Sequence, residues 1–341
     1  MDNESLTQRL LHWCRERLGA GPHSYLSELK RHAEGWSWHT FTFVLNDRDH
    51  SRGIAIRRQP EDGLLAPYDI ELQYRLHATL AKLDVVPVPA LYGLEMNCEV
   101  LGMPFYAMER IEGLVPVQWN ASDPRVFPDE KTRQSIGEQF AAMLASIHSS
   151  RVDDFSFLAG SVAVDTSGRT RLQLQRWIAM YDASIIAQEP LLLYAINWLR
   201  AHVPSSTHSG VCHGDYRIGN FIVRDSRIVA ILDWELAHIG DTTSDLAWAA
   251  LPLFRGRSPL WSHLLAARDF LQIYESRGGR PVDEPAFHFW TIFNLVKASV
   301  PHLRAARAFE DRGTNDLRLA AMGHQVVHLY KHLTIALEAV S

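Results

Sequence analysis

Cysteine is scarce in this chain: Cys14, Cys98 and Cys212 are the three in 341 residues, far apart and without a C-x-x-C spacing. An odd, scattered set supports neither a disulfide framework nor a zinc knuckle, so three reduced and mostly buried thiols are expected. A positive surplus is also lacking. Lys and Arg number 34 against 39 Asp and Glu, a formal net charge of −5, and no block of five or six like charges occurs. Duplex binders carry a basic footprint, which makes nucleic acid an unexpected partner. Long apolar runs are missing too. The longest, around Leu191–Leu199, falls far short of the roughly 20 residues needed to span a bilayer. The first residues, MDNESLTQRLLHWCRERLG, open acidic and place Leu6, Leu10, Leu11 and Leu18 at helical spacing. A signal peptide would open basic and continue apolar. These absences predict a cytoplasmic protein with no membrane partner. No internal repeat or low-complexity tract is visible.

Apolar residues at 47% and charged residues at 21% are globular proportions. The length suits two core-bearing units, since a domain usually takes about 100–200 residues. Residues 4–18 read as an amphipathic helix stopped by Gly19-Ala20-Gly21-Pro22. Thr40–Leu45 and Ile54–Arg58 read as strands joined by a polar turn at Asn46–Ser51, and Phe105–Ile111 as another strand. Between them Tyr68–Leu83 reads as a helix, followed by the Pro-rich turn Val86–Pro89. Beyond a hinge near Arg110–Leu114 the pattern turns helical: Lys131–Ser149, Leu172–Ala187, Pro190–His202, Pro259–Arg277, Glu284–Arg307 and Leu317–Val340. Val211–His213, Phe221–Val223 and Ile228–Leu232 interrupt it as short strand pieces. The expectation is an α+β, bilobal chain: a small β-rich lobe over 1–112 and a larger helical lobe over 113–341. A cleft between such lobes is a favoured ligand site.

The chemistry concentrates in VCHGDYRIGNFIVRDSRIVAILDWELAHIGDTTSDLAW, residues 211–248. It contains H-G-D-x-x-x-x-N at His213, Asp215 and Asn220, then a hairpin, then D-W-E at Asp233–Glu235. The hairpin brings Asn220 and Asp233 to neighbouring strand ends. An amide oxygen and a carboxylate are hard ligands suited to Mg²⁺. Asp215 can accept a proton from a substrate hydroxyl. Metal ligands plus a carboxylate that orients the nucleophile are what phosphoryl transfer requires. Alone, His-Gly-Asp is a polar turn and Asp-Trp-Glu a strand end; the joint spacing is much rarer.

These segments resemble the aminoglycoside phosphotransferase/choline kinase superfamily, whose fold is similar to that of protein kinases. HGDYRIGN, ILDWELAHIGD and SDLAW are most similar to the kinase-like domains found fused to, or encoded near, acyl-CoA dehydrogenases. The resemblance runs from about residue 25 to the end of the chain. It implies ATP and Mg²⁺ as cofactors, Asp215 as catalytic base, His213 as a brace of the loop, and Asn220 and Asp233 as metal ligands. It also implies that Asp245 is a buried acid supporting this region; the plainer reading of Asp245 is a helix N-cap. For Glu235 a solvated carboxylate is the simpler expectation.

The same resemblance makes 1–112 the nucleotide-binding lobe and gives the later lobe the acceptor site. Ile54-Ala55-Ile56-Arg57 is similar to the strand carrying the phosphate-binding lysine, here an arginine able to grip phosphate at two points. Arg58, on the opposite strand face, is expected in solvent. Alignment puts Gln73 where the family's helix has a glutamate, with Glu71 as the alternative partner of Arg57. Glu34-Gly35-Trp36-Ser37-Trp38 stands at the phosphate-covering loop, where Ser37 and backbone N–H groups can meet phosphate; an ordinary hairpin turn with Trp packing is the alternative. Met108–Gly113 resembles the hinge, with the backbone of Glu109 and Ile111 toward adenine.

On the acceptor side Trp177, Tyr181, Trp198, Trp290 and Phe293 are most simply core. Segment 172–198 holds only Asp182 and Glu189 as acids and includes Arg176, and 285–307 adds Lys297, His302, Arg304 and Arg307. That mix suits an apolar or anionic alcohol, such as a hydroxyacyl thioester, better than a polycation. His324, His328 and His332 at i, i+4 and i+8 read as a polar stripe, with metal binding as the alternative. The function expected is phosphorylation of a small-molecule hydroxyl. Its alternatives are an antibiotic O-phosphotransferase, a nucleotide-binding module with little catalysis, and a metal hydrolase using His213, Asp215 and Asp233.

Overall fold

The computed structural model describes residues 3–32, 37–48, 50–117, 120, 123–160, 164–205, 208–311 and 313–340. The chain divides into two compact units, Met1–Gly113 and Leu114–Ser341.

The first unit is a five-stranded antiparallel sheet in the order β1-β2-β3-β5-β4, with strands Tyr25–His32, His39–Asp47, His50–Arg58, Leu91–Glu95 and Phe105–Glu109 numbered along the chain. Helix α1 (Asn3–Leu18) carries Glu4 in its first turn and Arg15 and Arg17 in its last, matching the helix dipole. It buries Leu10, Trp13 and Cys14 against Phe41, Phe43, Leu45, Ile54, Ile56 and Phe105. The period-two alternation of Phe41, Phe43 and Leu45 directs one sheet face to this core. A second cluster joins Trp38, Ala55, Tyr106 and Met108 to Ile70 of α2 (Ile70–Leu83). Helix α2 starts two residues later than expected, where Asp69 accepts a hydrogen bond from Leu72 N–H. A single turn, α3 (Cys98–Leu101), precedes β5.

The expected turn at Asn46–Ser51 is mostly strand. Asn46 pairs with Ser51 and Asp47 with His50, and the Ser51 hydroxyl donates to Asn46 Oδ1 at 2.8 Å. Polar residues there mark a solvated hairpin end rather than a loop. Strand β1 had no sequence signal because it is an edge strand whose side chains are largely exposed.

The second unit is built around α9 (Glu284–Glu310), which packs against α5 (Thr166–Asp182), α6 (Pro190–Ala201), α7 (Thr243–Ala249), α10 (Leu317–His324) and α11 (Val326–Glu338). Asp283 caps α9 by accepting from Ala286 N–H. Helix α4 (Glu130–His148) packs against α8 (Ala267–Ser276). Two ribbons of two strands, β6 (Gly210–Cys212) with β9 (His238–Gly240) and β7 (Phe221–Arg224) with β8 (Arg227–Ile231), lie between α6 and α7 in sequence. The helix expected from Pro259 begins only at Ala267. Before it, β10 (Leu260–Trp261) and β11 (Leu265–Ala266) form a hairpin in which Ser262 and His263 take φ of 48° and 63°, which a right-handed helix cannot contain. The helix expected over Leu317–Val340 breaks at Gln325, so His324 does not share a helix with His328 and His332. Among the described residues no group of three or more His, Cys, Asp or Glu is placed to hold a metal ion, and no helix is long and apolar enough to cross a membrane.

Candidate active site

Strand β6 is fully buried and delivers the chain to His213. At Gly214 the backbone turns with φ +83°, and a Cβ there would stand 2.2 Å from the Leu236 carbonyl oxygen. Only glycine fits this close approach, which explains the middle letter of H-G-D. The loop is then held from beneath by Asp245, in the first turn of α7 and 1% exposed. Its Oδ2 accepts from His213 N–H at 2.6 Å and from His148 Nε2 at 3.2 Å, and its Oδ1 accepts from Gly214 N–H at 2.8 Å. Burial pushes the Asp245 carboxyl up, but the bond from His148 and the charges of His148, His213 and His238 outweigh it and hold the group at about 2. Of the two readings of Asp245, the buried support is therefore the one seen; the N-cap position of α7 belongs to Thr242.

His213 is completely buried. Its Nδ1 accepts from Asp215 N–H at 3.1 Å, so its Nε2 carries the proton and donates to the Leu232 carbonyl at 2.9 Å. Burial lowers its pKa against the upward pull of Asp245 and Asp215, favouring this neutral tautomer. The ring thereby ties the loop to the end of β8.

The Asp215 carboxylate collects three donors. Oδ1 accepts from Trp248 Nε1 at 2.7 Å and from Arg217 Nε at 2.9 Å, and Oδ2 accepts from Asn220 Nδ2 at 2.6 Å. Asn220 Nδ2 also donates to the Asp215 carbonyl at 2.8 Å. Both amide hydrogens of Asn220 are thus spent on Asp215, which leaves the amide oxygen as its acceptor face. The hairpin brings Asp233 to the same end. Phe221 pairs with Ile231, and Leu232 N–H donates to Asn220 O at 2.8 Å, so Asp233 lies one residue beyond the cross-strand neighbour of Asn220. Its φ of +67° is an uncommon conformation for a non-glycine residue. Glu235 is half-buried rather than solvated.

In the first unit Arg57 sits on β3 opposite Thr40 and Tyr106, with its guanidinium 5.5 Å from the Trp38 ring centroid. Trp38 is core, stacked edge-on against Tyr68 and Tyr106. Ser37 is half-buried, and Glu34, Gly35 and Trp36 lie outside the described residues. On α2, Gln73 is half-buried and Glu71 exposed. His77 of α2 is buried and lowered to about 4 by burial and by the Arg57 charge. Arg58 departs from the expectation of a solvated side chain. It is half-buried, donates to the Leu101 carbonyl at 2.9 Å, and has a pKa lowered by burial. Glu109 N–H is taken by the Ala90 carbonyl at 2.8 Å, so Glu109 has its carbonyl to offer; Ile111 follows the end of β5, half-buried.

The structure brings His213, Asp215 and Asn220 into one hydrogen-bonded loop with Asp233 at the adjoining strand end. Arg57, Gln73, Ser37, Glu109 and Ile111 belong to the other unit. Sequence reasoning missed three participants, Arg217, Trp248 and His148, and named Lys297 only as a cation of the acceptor side. Trp248 and Arg217 stood inside the motif without an assigned role. Of the aromatics read as core, Trp177, Tyr181, Trp290 and Phe293 are buried and Trp198 is half-buried. Arg307 bonds Asp311 and the Ile185 carbonyl.

Comparison with known proteins agrees with this geometry. A sequence model of the phosphotransferase enzyme family (APH) matches residues 28–282. "Probable acyl-CoA dehydrogenase IBR3" of Arabidopsis thaliana is 26% identical over 300 residues, 80% of this chain and 35% of its own length. Acyl-CoA dehydrogenase family member 10 of Mus musculus is 30% identical over 230 residues, 67% of this chain and 20% of its own length. The chain therefore spans about a third or less of these curated relatives. Among solved structures, a Ralstonia eutropha protein assigned to the aminoglycoside phosphotransferases superposes with a TM-score of 0.74 at 24% identity, covering 98% of each chain. Macrolide 2'-phosphotransferase type I gives 0.63 at 19% identity, covering 96% of this chain and 98% of its own. Both share the kinase-like fold. With three quarters of its length matched by the family model and the H-G-D-x-x-x-x-N loop assembled in the second unit, the chain belongs to the phosphotransferase enzyme family.

Proposed function

We propose that this kinase transfers the γ-phosphoryl group of ATP to a hydroxyl of a small anionic acceptor of the hydroxyacyl-thioester type. The observation that carries the reading is the convergence of Trp248, Arg217 and Asn220 on the Asp215 carboxylate. Three donors fix both oxygens of the base. A hydroxyl bound against it is oriented, and gives up its proton to Asp215 as the phosphoryl group leaves ATP. Much of the rate enhancement then comes from positioning.

The donor set fits a divalent cation. Asn220, with both amide hydrogens committed to Asp215, presents a hard oxygen, and Asp233 follows at the neighbouring strand end. When bound by Asn220 and Asp233, Mg²⁺ would neutralise triphosphate charge. In the first unit Arg57 is the residue proposed to grip phosphate oxygens, helped by Ser37 and oriented by Gln73. Gln73 rather than Glu71 is favoured because Glu71 faces solvent. The Glu109 carbonyl and Ile111 N–H are proposed to meet the adenine edge. A solved neighbour described as a streptomycin–ATP complex supports ATP as the donor.

One observation supports the acceptor class. The curated relatives are named as acyl-CoA dehydrogenases and are far longer than this chain, which associates the kinase-like part with acyl-thioester chemistry. Beside the loop, a crevice of about 10 Å³ lined by Arg176, Trp177, His238, Asp245, Trp290 and Lys297 sets two cations against one carboxylate and is too small to hold an acceptor. An antibiotic acceptor is the second reading, favoured by neighbours named for aminoglycosides and macrolides.

The test is ADP release from Mg·ATP with 3- and 4-hydroxyacyl-CoAs, an aminoglycoside and a macrolide. Turnover on a hydroxyacyl-CoA is expected, and turnover on an antibiotic alone would overturn the acceptor class. Asp233→Ala should abolish turnover; full activity in that variant would refute the metal role.

A further inference from the structure

Five lysines occur in the chain. Lys30, Lys82, Lys131 and Lys331 are exposed, whereas Lys297, on α9, is 6% exposed. A buried ammonium is costly unless its surroundings compensate it. Around Lys297 they do so with groups of the catalytic loop. Its Nζ donates to the Gly214 carbonyl and lies 4.1 Å from the Trp248 ring centroid and 5.7 Å from that of Trp177. Trp248 in turn donates its indole N–H to Asp215 Oδ1 at 2.7 Å. A cation against an indole face draws electron density from the ring and makes the N–H a stronger donor. The ammonium therefore acts on Asp215 by two routes, through the indole and through the backbone turn at Gly214.

We infer that Lys297 is a positioning residue for the catalytic carboxylate: its contacts with the Gly214 carbonyl and the Trp248 ring hold Asp215 in the orientation that receives the hydroxyl proton. The inference rests on the reading of Asp215 as the base. A neutral side chain of similar length would fill the same space without the burial cost, so the charge is what needs an explanation.

The groups facing Lys297 are Asp215 and Asp245, which favour its charged form, Cys212, which does so weakly, and Arg176 and His238, whose own titrations it opposes or which oppose it. Burial outweighs them and lowers the lysine to about 8. A deprotonated Lys297 loses both its hold on the indole face and its field on Asp215. The wild-type kcat should accordingly fall as pH rises through about 8.

Two measurements test this. In protein labelled at lysine ¹³Cε, five signals are resolved and Lys297 is identified by its loss in Lys297→Met. Its midpoint should lie near 8, far below the other four, and should drop in Asp215→Asn, because the carboxylate supports the ammonium. An unchanged midpoint in Asp215→Asn would overturn the coupling, and this readout needs no turnover. The second measurement is kcat against pH with Mg·ATP and 3-hydroxybutyryl-CoA. Lys297→Met should lose roughly 10- to 100-fold in kcat, the usual effect of removing a partner that orients a reacting group. It should also lose the alkaline fall, while the KM for ATP stays within about twofold of wild type. Lys297→Arg keeps the charge and should hold its activity to higher pH; it also serves as the folded control if the methionine variant is unstable. A wild-type pH profile in Lys297→Met would show a merely structural residue and overturn the inference. Absence of turnover on every acceptor would instead sink the kinase reading of Asp215, while the NMR midpoint still decides the Lys297–Asp215 link.

Discussion

The His213–Asn220 loop of the second unit and strand β3 of the first present their charged groups in different surroundings. In the loop the Asp215 carboxylate is fixed by Trp248, Arg217 and Asn220, and the turn beneath it by Asp245. On β3, Arg57 stands opposite Tyr106 with its guanidinium against the face of Trp38. The difference follows from the tasks proposed for them. A base must meet one hydroxyl proton along one direction, so a small rotation is expensive in rate. A cation that neutralises a polyphosphate acts through charge, which tolerates angular error. The loop should therefore be intolerant of isosteric change and the strand should be forgiving.

Asp215→Asn is the largest test of that contrast. It preserves shape and removes the proton acceptor, so kcat for ADP release should fall about 10³- to 10⁴-fold, in the range for loss of a general base. Circular dichroism and melting temperature should stay near wild type. A fall of less than tenfold would mean that the loop is no more demanding than the strand.

Next in size is Asp245→Asn. It places an amide N–H₂ among backbone donors and removes a buried charge that His148 and the loop depend on. The expected cost is about 3–5 kcal/mol of stability, the usual range when one member of a buried pair is lost. Urea unfolding measures it. A loss under about 1 kcal/mol would show that the loop is held by the strands rather than by this carboxylate.

Acid should separate the two regions as well. His77 in the first unit and His238 in the second are each lowered to about 4, both mainly by burial. A histidine whose folded pKa lies below its unfolded value of about 6.5 contributes stability above 6.5 and loses it as pH falls toward the folded pKa. Stability should thus decline from pH 6.5 to about 4, by at most roughly 3 kcal/mol per histidine, since each unit is worth about 1.4 kcal/mol. Below that, Asp245 adds a further loss as pH falls toward about 2. His77→Leu should flatten the part of the decline belonging to the first unit. An unaltered decline in that variant would assign the whole effect elsewhere.

How much of this was legible in the sequence divides along the same line. The loop was readable because its roles are encoded within one stretch: Gly214 is obligatory beside the Leu236 carbonyl, and the β7–β8 hairpin fixes the spacing of Asn220 and Asp233. What reaches the loop from elsewhere was not readable. Lys297 arrives from α9 and His148 from the end of α4, and nothing in the segment of Lys297 distinguishes a buried ammonium from a solvated one. Arg58 was misjudged for a related reason. Strand alternation gives the face of a residue but not what covers it, and here the Leu101 carbonyl does. Edge strand β1 and the β10–β11 hairpin were lost because exposed strands need no apolar alternation, and because Leu264 and Leu265 fit a helical period until the left-handed Ser262 and His263 are seen.

The smallest expected effect is also the one that sharpens the contrast most. Arg57→Lys keeps the charge and removes the planar two-point grip. If β3 contributes charge alone, the KM for ATP should rise no more than about tenfold, roughly 1.4 kcal/mol, with kcat nearly unchanged. Arg57→Met, which removes the charge, should raise KM well beyond that, while the melting temperature reports any loss of packing on Trp38. Gln73→Glu puts an acid at the position that aligns with the family's glutamate. If Gln73 is the partner of Arg57, the new ion pair should raise the KM for ATP several-fold by competing with phosphate for the guanidinium, whereas Glu71→Gln, at an exposed position, should leave it unchanged. A large kcat loss in Arg57→Lys, comparable to that of Asp215→Asn, would erase the distinction: the strand would then be as exacting as the loop, with the guanidinium holding the phosphoryl group in line for transfer.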